Sequence, residues 1–315
     1  MAPPPATAVA TRTTPQAWQI GLALSVVYVV WGSTYLAIRV IVETLPPLLI
    51  GGIRFAIAGV IMLAIVAVRG GLAQFRSVDR RQLAWCAFIG ACLATGGNGL
   101  VMVGEQWIAS GLAALIIAAV PLWVVLFRRL TGDTIAPITL VGVACGFLGV
   151  ALLLLPGGGA HGQPIGFFII ICASLCWATG SFTSSRVSLP PDPLLSTGIQ
   201  MTAGGLLGIV IGLAIGEGGQ IHAGAFRTQA VIAFVYLILI GSLLAYTTYS
   251  WLLQNAPISK VATYAFVNPV IAIFLGWLFL SEDVTLTIAA GAAVIVASVA
   301  AIVRQESGRP REEVG

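Results

Sequence analysis

The 315-residue sequence predicts an all-α integral membrane protein, with ten transmembrane helices arranged as two inverted five-helix repeats. Three observations lead there. Charged residues are 8% of the chain and apolar residues 58%, against roughly 25% charged in a soluble domain, so a water-exposed surface cannot be assembled from it. The apolar residues fall into ten runs, each close to the about 20 residues that cross the hydrocarbon core. A polar and proline layout in the first half also recurs in the second at an offset of 146 to 149 residues.

Taken in order, residues 1–17, rich in Pro, Ala and Thr, read as a disordered cytoplasmic tail rather than the basic start of a cleaved signal. Runs bounded by charge, Gly and Pro then follow at 18–41, 48–68, 82–103, 107–127 and 137–155. A second set lies at 164–185, 194–215, 229–253, 259–280 and 286–303, with a cytoplasmic tail at 305–315. The repeats are therefore 18–155 and 164–304. With the amino terminus inside, Arg12, Arg69, Arg76, Arg80, Arg81, Arg128, Arg129, Arg186, Lys260, Arg304, Arg309 and Arg311 all collect on the cytoplasmic side, while Arg39 and Arg227 alone fall outside. That asymmetry orients the chain with both termini cytoplasmic.

The register of the duplication is set by pairs: Trp31 with Trp177 and Pro47 with Pro193 at offset 146, Gln106 with Gln254 and Pro121 with Pro269 at 148, Gly142 with Gly291 at 149. Each copy has an odd number of spans, so the second enters the membrane from the opposite side and the repeats are inverted, an architecture found mostly in transporters. Pro121 and Pro269 are predicted to interrupt their helices in mid-span, where neighbouring helices must satisfy the carbonyls that proline frees.

Polar residues at helical spacing mark the candidate ligand contacts. Trp31 and Tyr35 lie four apart on one face of the first span; Trp177 and Ser181 are their repeat partners, joined in a stripe by Ser174 and Ser184. Rings supply contact area and hydroxyls fix orientation, although small hydroxyl residues also simply pack transmembrane helices. The third span carries Thr95-Gly96-Gly97-Asn98-Gly99, and its partner region carries Tyr246 and Tyr249, with Asn98 opposite Tyr246 at offset 148. An amide or phenol in hydrocarbon must find a hydrogen-bond partner or face a cavity. In the ninth span Lys260, Tyr264 and Asn268 recur every fourth residue against Leu112, Ile116 and Val120 in the fourth, so this stripe exists in one repeat. Lys260 at its end has the reach to snorkel to the membrane surface instead.

Arg54 is the charge set inside a span. Glu43 and Glu105 are predicted at the same outer end, which leaves two readings: an ion pair that closes that side, or a contact to an anionic group of a ligand. The glycines Gly142, Gly146 and Gly149, and Gly204, Gly208, Gly212 and Gly216, recur at close to helical spacing and are read as close packing within the chain, with a dimer face as the alternative.

The doubled pattern resembles the EamA-type transporters of the drug/metabolite transporter superfamily. The stretches that carry the resemblance are WGSTYLAIR (31–39), LPPLLIGGIRF (45–55), EQWIASGLAALIIAAVPLW (105–123) and NPVIAIFLGWLFLSED (268–283), in order and twice over, covering about 290 residues. The resemblance implies a ten-helix carrier of the bacterial inner membrane, usually an exporter of amino acids or other small metabolites. After the fourth span the chain departs from the family, showing Thr131-Gly132-Asp133 where the second copy has Ser281-Glu282.

The expected function is a secondary transporter exporting small metabolites by alternating access, as monomer or homodimer, without a cofactor and without nucleic acid as a partner. A multidrug or nucleobase exporter, or an uncoupled facilitator of the same fold, remains an alternative. The glycine run Gly157–Gly159 lacks the following Lys-Ser/Thr of a phosphate-binding loop, which argues against ATP hydrolysis. Metal-ligand spacing is absent from the histidines and cysteines, and the acids are scattered singly, which argues against a membrane-embedded enzyme. Coupling to protons would run through Glu105, because mid-span carboxylates and histidines are lacking.

Overall fold

The structure, a computed structural model, describes residues 16–71, 73–153, 162–256, 261 and 263–307. Lys260, Gly157–Gly159 and nearly all of both tails lie outside the described residues. Regular structure among the described residues is helical, apart from a single antiparallel bridge between Ile108 and Gly162. In chain order the helices are α1 (Ala17–Val42), α2 (Pro47–Gly70), α3 (Arg80–Gly104), α4 (Ser110–Leu130), α5 (Pro137–Leu153), α6 (Pro164–Ser184), α7 (Pro193–Ala214), α8 (Thr228–Leu253), α9 (Tyr264–Leu280) and α10 (Leu286–Ser307). Eight of them are long and apolar enough to cross a bilayer. The difference from the ten spans predicted lies in α5 and α9, each 17 residues and so about 25 Å long.

Local chemistry starts these helices where they start. Proline occupies the first turn of α2, α6 and α7, where the missing N–H has no intrahelical partner to lose. Asp79 and Gln82 form a reciprocal cap on α3, and Asp192 accepts from the backbone nitrogens of Leu194 (2.8 Å) and Leu195 (3.4 Å) at the start of α7.

The paired prolines do not behave alike, contrary to the sequence reading. α4 is broken at Ala118–Ala119, and Pro121 opens its second piece, Val120–Leu130, again in a first turn that needs no donor. Pro269 lies inside α9. A different irregularity is shared by the halves: α3 is widened into a π-helix over Ala91–Gly99 and α8 over Leu237–Leu244, a distortion that concentrates at functional sites.

Packing places α2 against α7, α5 against α10, α1 against α9 and α8, and α6 against α3 and α4. The main core joins α1, α3, α4, α6 and α10 through Ile38, Ile41, Met102, Leu115, Ile170 and Ile295. Large apolar side chains also cover the outside: Val60, Phe168, Val210 and Phe274 are each more than half exposed, a surface that suits lipid and not water.

The glycine ladder packs within the chain as far as Gly212, whereas Gly216, at a φ of 86° beyond the end of α7, has no atom within 4 Å of an added Cβ. Gly205 and Gly208 of α7 meet Gly52 of α2 backbone to backbone, and Gly204 meets the carbonyl of Gly90 in α3. A Cβ on Gly52 would lie 2.5 Å from the nitrogen of Ile209 and 2.7 Å from the carbonyl oxygen of Gly205, whereas one on Gly21 would have no atom within 4 Å. Gly142 and Gly149 serve the α5–α10 contact in the same way, against Ile302 and Ile295. Gly52→Ala is therefore expected to cost about 1–3 kcal/mol by overpacking, read as a lowered melting temperature of the detergent-solubilised protein, while Gly21→Ala is expected to lose nothing. Equal melting temperatures would contradict this account of the α2–α7 seam.

Candidate functional site

α1, α2, α3, α4, α6, α8 and α9 converge on one cavity, of about 90 Å³. The break in α4 supplies Ala118 and Pro121 to its wall, and both π segments border it: Asn98 comes from the first, Gly241 from the second. Widening a helix rotates the residues that follow it. It brings Asn98 and Tyr246 inward from α3 and α8 to a shared space.

Trp31, Tyr35, Asn98, Trp177, Tyr246, Tyr264 and Asn268 line the cavity, together with Arg54. Trp31 is the hub of the aromatic wall. Its ring centroid lies 5.2 Å from Tyr246, 5.1 Å from Tyr249 and 5.1 Å from Tyr264, within the range where edge-to-face pairs add to burial. Tyr249 belongs to this cluster from behind, 5.8 Å from Tyr264, without reaching the cavity wall. The amide nitrogen of Asn268, oriented to satisfy its neighbours, donates to the carbonyls of Tyr28 (3.2 Å) and Tyr264 (3.3 Å). Asn98 donates to the carbonyl of Leu93 (3.2 Å), five residues back and so across the widened turn.

Ser181 is not among the lining residues; its carbonyl accepts from Ser184 at 2.8 Å. Ser174 is fully buried with no partner for its hydroxyl. Thr34 was missed although it stands one turn from Trp31, whose carbonyl it bonds at 2.6 Å.

Of the two readings of Arg54, the ion pair with Glu43 or Glu105 does not form. Arg54 sits seven residues into α2, about 10 Å along its axis, and turns away from that end toward α8, where its Nε donates to Ser242 Oγ at 3.1 Å. Glu43 instead lines a second cavity with Arg39, Gln106, Trp107 and Glu282. Glu105 is wholly buried, neither of its carboxylate oxygens has a hydrogen-bond partner, and its carbonyl accepts from Arg39 Nη1.

Two other glutamates hold that end together. Glu282, after α9, accepts from Ser110 N (2.8 Å), Ser110 Oγ (3.0 Å) and Gly111 N (3.1 Å) at the start of α4. Glu217, after α7, accepts from Leu48 N (3.2 Å) and Leu49 N (2.6 Å) at the start of α2. Each sets a carboxylate on the open N–H groups and positive dipole end of a helix from the other half of the chain. At the opposite end Asp133, which follows α4, bonds Arg186 (2.7 Å) and Arg128 (2.9 Å). Those two guanidiniums, Arg186 foremost, hold its carboxyl below the usual aspartate range.

The arrangement suits reversible binding of a small solute: an aromatic wall, two amides and one cation in a cavity shared by both halves of the chain. Clustered acids or histidines of the kind acid–base chemistry needs do not line it. Comparison with known proteins agrees with that reading. The chain matches the EamA-like transporter family over residues 18–155 and 164–304. It is 38% identical over 255 residues to the inner membrane transporter YedA of Escherichia coli (strain K12), covering 81% of this chain and 80% of that one. It is 27% identical over 298 residues to the transporter YvbV of Bacillus subtilis (strain 168), covering 93% and 94%. A crystal structure superposes on 92% of this chain and 99% of its own with a TM-score of 0.64 at 20% identity, a likeness of fold. The protein belongs to the EamA-like transporter family.

Proposed function

We propose that the chain is a secondary transporter of the bacterial inner membrane that exports small metabolites, amino acids or related compounds, by alternating access. The observation that carries the reading is the central cavity, walled by residues of both halves and by the one broken and two widened helices. Ten spans in two inverted repeats is the arrangement proposed for it. The helix contacts support that arrangement, because exchanging the halves turns α1 on α9 into α6 on α4, turns α3 on α6 into α8 on α1, and maps α2–α7 and α5–α10 onto themselves. The inner membrane location rests on the name of the relative YedA, and the cytoplasmic placement of both termini on the distribution of basic residues.

In this orientation the end held by Glu217 and Glu282 is the outer side, and the Asp133–Arg186–Arg128 cluster is the inner one. Both sets are formed in this structure, so rocking the halves open at one end would break that set while the other holds, around a fixed site. Glu105 is the proposed point of proton coupling. An enclosed carboxyl with no donor carries charge at high cost, and of its charged and titratable neighbours Glu282 belongs to the other half of the chain, while Arg39 and Tyr35 share its own.

Counterflow of radiolabelled amino acids and nucleobases into proteoliposomes holding the purified chain tests the carrier reading. Saturable flux is expected in the wild type, with about tenfold loss in Trp31→Ala and in Asn98→Ala; flux that rises linearly with concentration, or that both variants keep, would overturn it. Accumulation driven by a pH gradient is expected to vanish in Glu105→Gln while gradient-free counterflow persists. A Glu105→Gln protein that still accumulates solute would remove Glu105 from coupling.

A further inference from the structure

Arg54 is a cation enclosed without an anion. Its side chain is 2% exposed, and its contacts among the described residues are one neutral hydrogen bond, from Nε to Ser242 Oγ at 3.1 Å, and the neighbouring Phe55 ring, 4.5 Å below Cζ. No ion pair joins Arg54 to an acid among the described residues. Nη1 is buried and has no hydrogen-bond partner. A charge taken out of water and left unpaired is costly, and within a membrane such residues mark substrate pathways.

The direction of the free donors follows from what is already bonded. Ser242, itself fully buried, occupies the Nε side of the guanidinium, so the edge left over is the one made by Nη1 and Nη2. That edge belongs to a residue of the cavity wall. At position 241 there is a glycine, where an added Cβ would lie 3.5 Å from Nη2 and 3.1 Å from Thr34 Cγ2; a longer side chain there would cover the edge. A planar two-donor edge matches the two oxygens of a carboxylate, which a lysine's point charge would not do. Trp31, Tyr246 and Tyr264 stand around the same space and suit an apolar or aromatic body.

We infer that the transported solute carries a carboxylate, that Arg54 binds it through Nη1 and Nη2, and that Ser242 is the positioning residue that turns this edge into the cavity. The inference rests on the carrier reading above. It separates the solutes that reading allows: small organic acids and amino acids are bound, whereas neutral nucleobases and lipophilic cations leave the guanidinium unpaired and are rejected.

Two measurements test it. The first uses proteoliposomes of the full chain and matched probes, leucine with leucinamide and phenylalanine with phenylalaninamide, beside uracil and tetraphenylphosphonium. Each acid is expected to move at least about tenfold faster than its amide in the wild type. Arg54→Gln is expected to abolish that preference, Arg54→Lys to recover part of it, and Ser242→Ala to weaken apparent affinity for the acids without making the amides better substrates. Amides, uracil or tetraphenylphosphonium moving as well as the acids, in wild type and Arg54→Gln alike, would overturn the inference and leave the carrier reading standing. The second needs no substrate: the melting temperature of the solute-free protein in detergent. A guanidinium that waits for a ligand is a burden until the ligand arrives, so Arg54→Gln is expected to melt at the same temperature or higher. A lower melting temperature would make Arg54 a structural anchor and overturn the inference; absence of flux for every probe would defeat the carrier reading, and the inference with it.

Discussion

Everything in this molecule answers to one constraint: a polar group in hydrocarbon has no water to turn to, so the chain must satisfy it or leave it for a ligand. A continuous helix meets the demand alone. The places where helices start, break or widen inside the bundle do not, and there the protein supplies partners across the two halves. Glu282 covers the open N–H groups of α4, and Glu217 those of α2. Thr95 returns a hydrogen bond from the widened part of α3 to Gly204 of α7 at 2.6 Å. Against that background two charged side chains with unpartnered buried atoms stand out among the described residues: Arg54, a residue of the cavity wall, through its Nη1, and Glu105, whose carbonyl accepts from Arg39, through both carboxylate oxygens.

Close packing makes the same demand in another form. α2 and α7 approach until glycine faces glycine, Gly52 against Gly205 and Gly208, because lipid offers no hydrophobic drive between helices and dispersion needs contact. The seam lies away from the cavity's aromatic wall, which is built on α1, α6, α8 and α9.

Much of this could be read from the residues themselves. The scarcity of charge announced the membrane, and the recurrence of Trp31 at Trp177 and of Pro121 at Pro269 announced the duplication. Trp31, Tyr35, Tyr264 and Asn268 share the cavity because helical spacing put each pair on one face. What was hidden depended on tertiary partners. Glu217 and Glu282 look like loop acids until the helix starts they cover are placed beside them. The widened turn of α3 was foreshadowed by its glycines, but Leu237–Leu244 holds a single glycine and gives no local sign. Arg54 was offered two partners by sequence; depth along α2 and the presence of Ser242 on α8 decided against both. Asp133 and Glu282, each following the fourth span of its copy, ended in unlike environments, in keeping with the difference between Thr131-Gly132-Asp133 and Ser281-Glu282.

If Glu282, which follows α9 and caps α4, closes the outer end while Asp133 and Arg186 hold the inner one, the two ends must change together. Distances between paired nitroxide labels measure this directly, with one pair at positions 106 and 284 across the outer end and another at 131 and 188 across the inner end, in a background freed of native cysteines, before and after Glu282→Gln. Removing that charge is predicted to lengthen the outer distance and shorten the inner one in the same fraction of molecules. An outer end that loosens while the inner distance stays fixed, or two distributions that do not move at all, would contradict a carrier that works by rocking its halves about the central cavity.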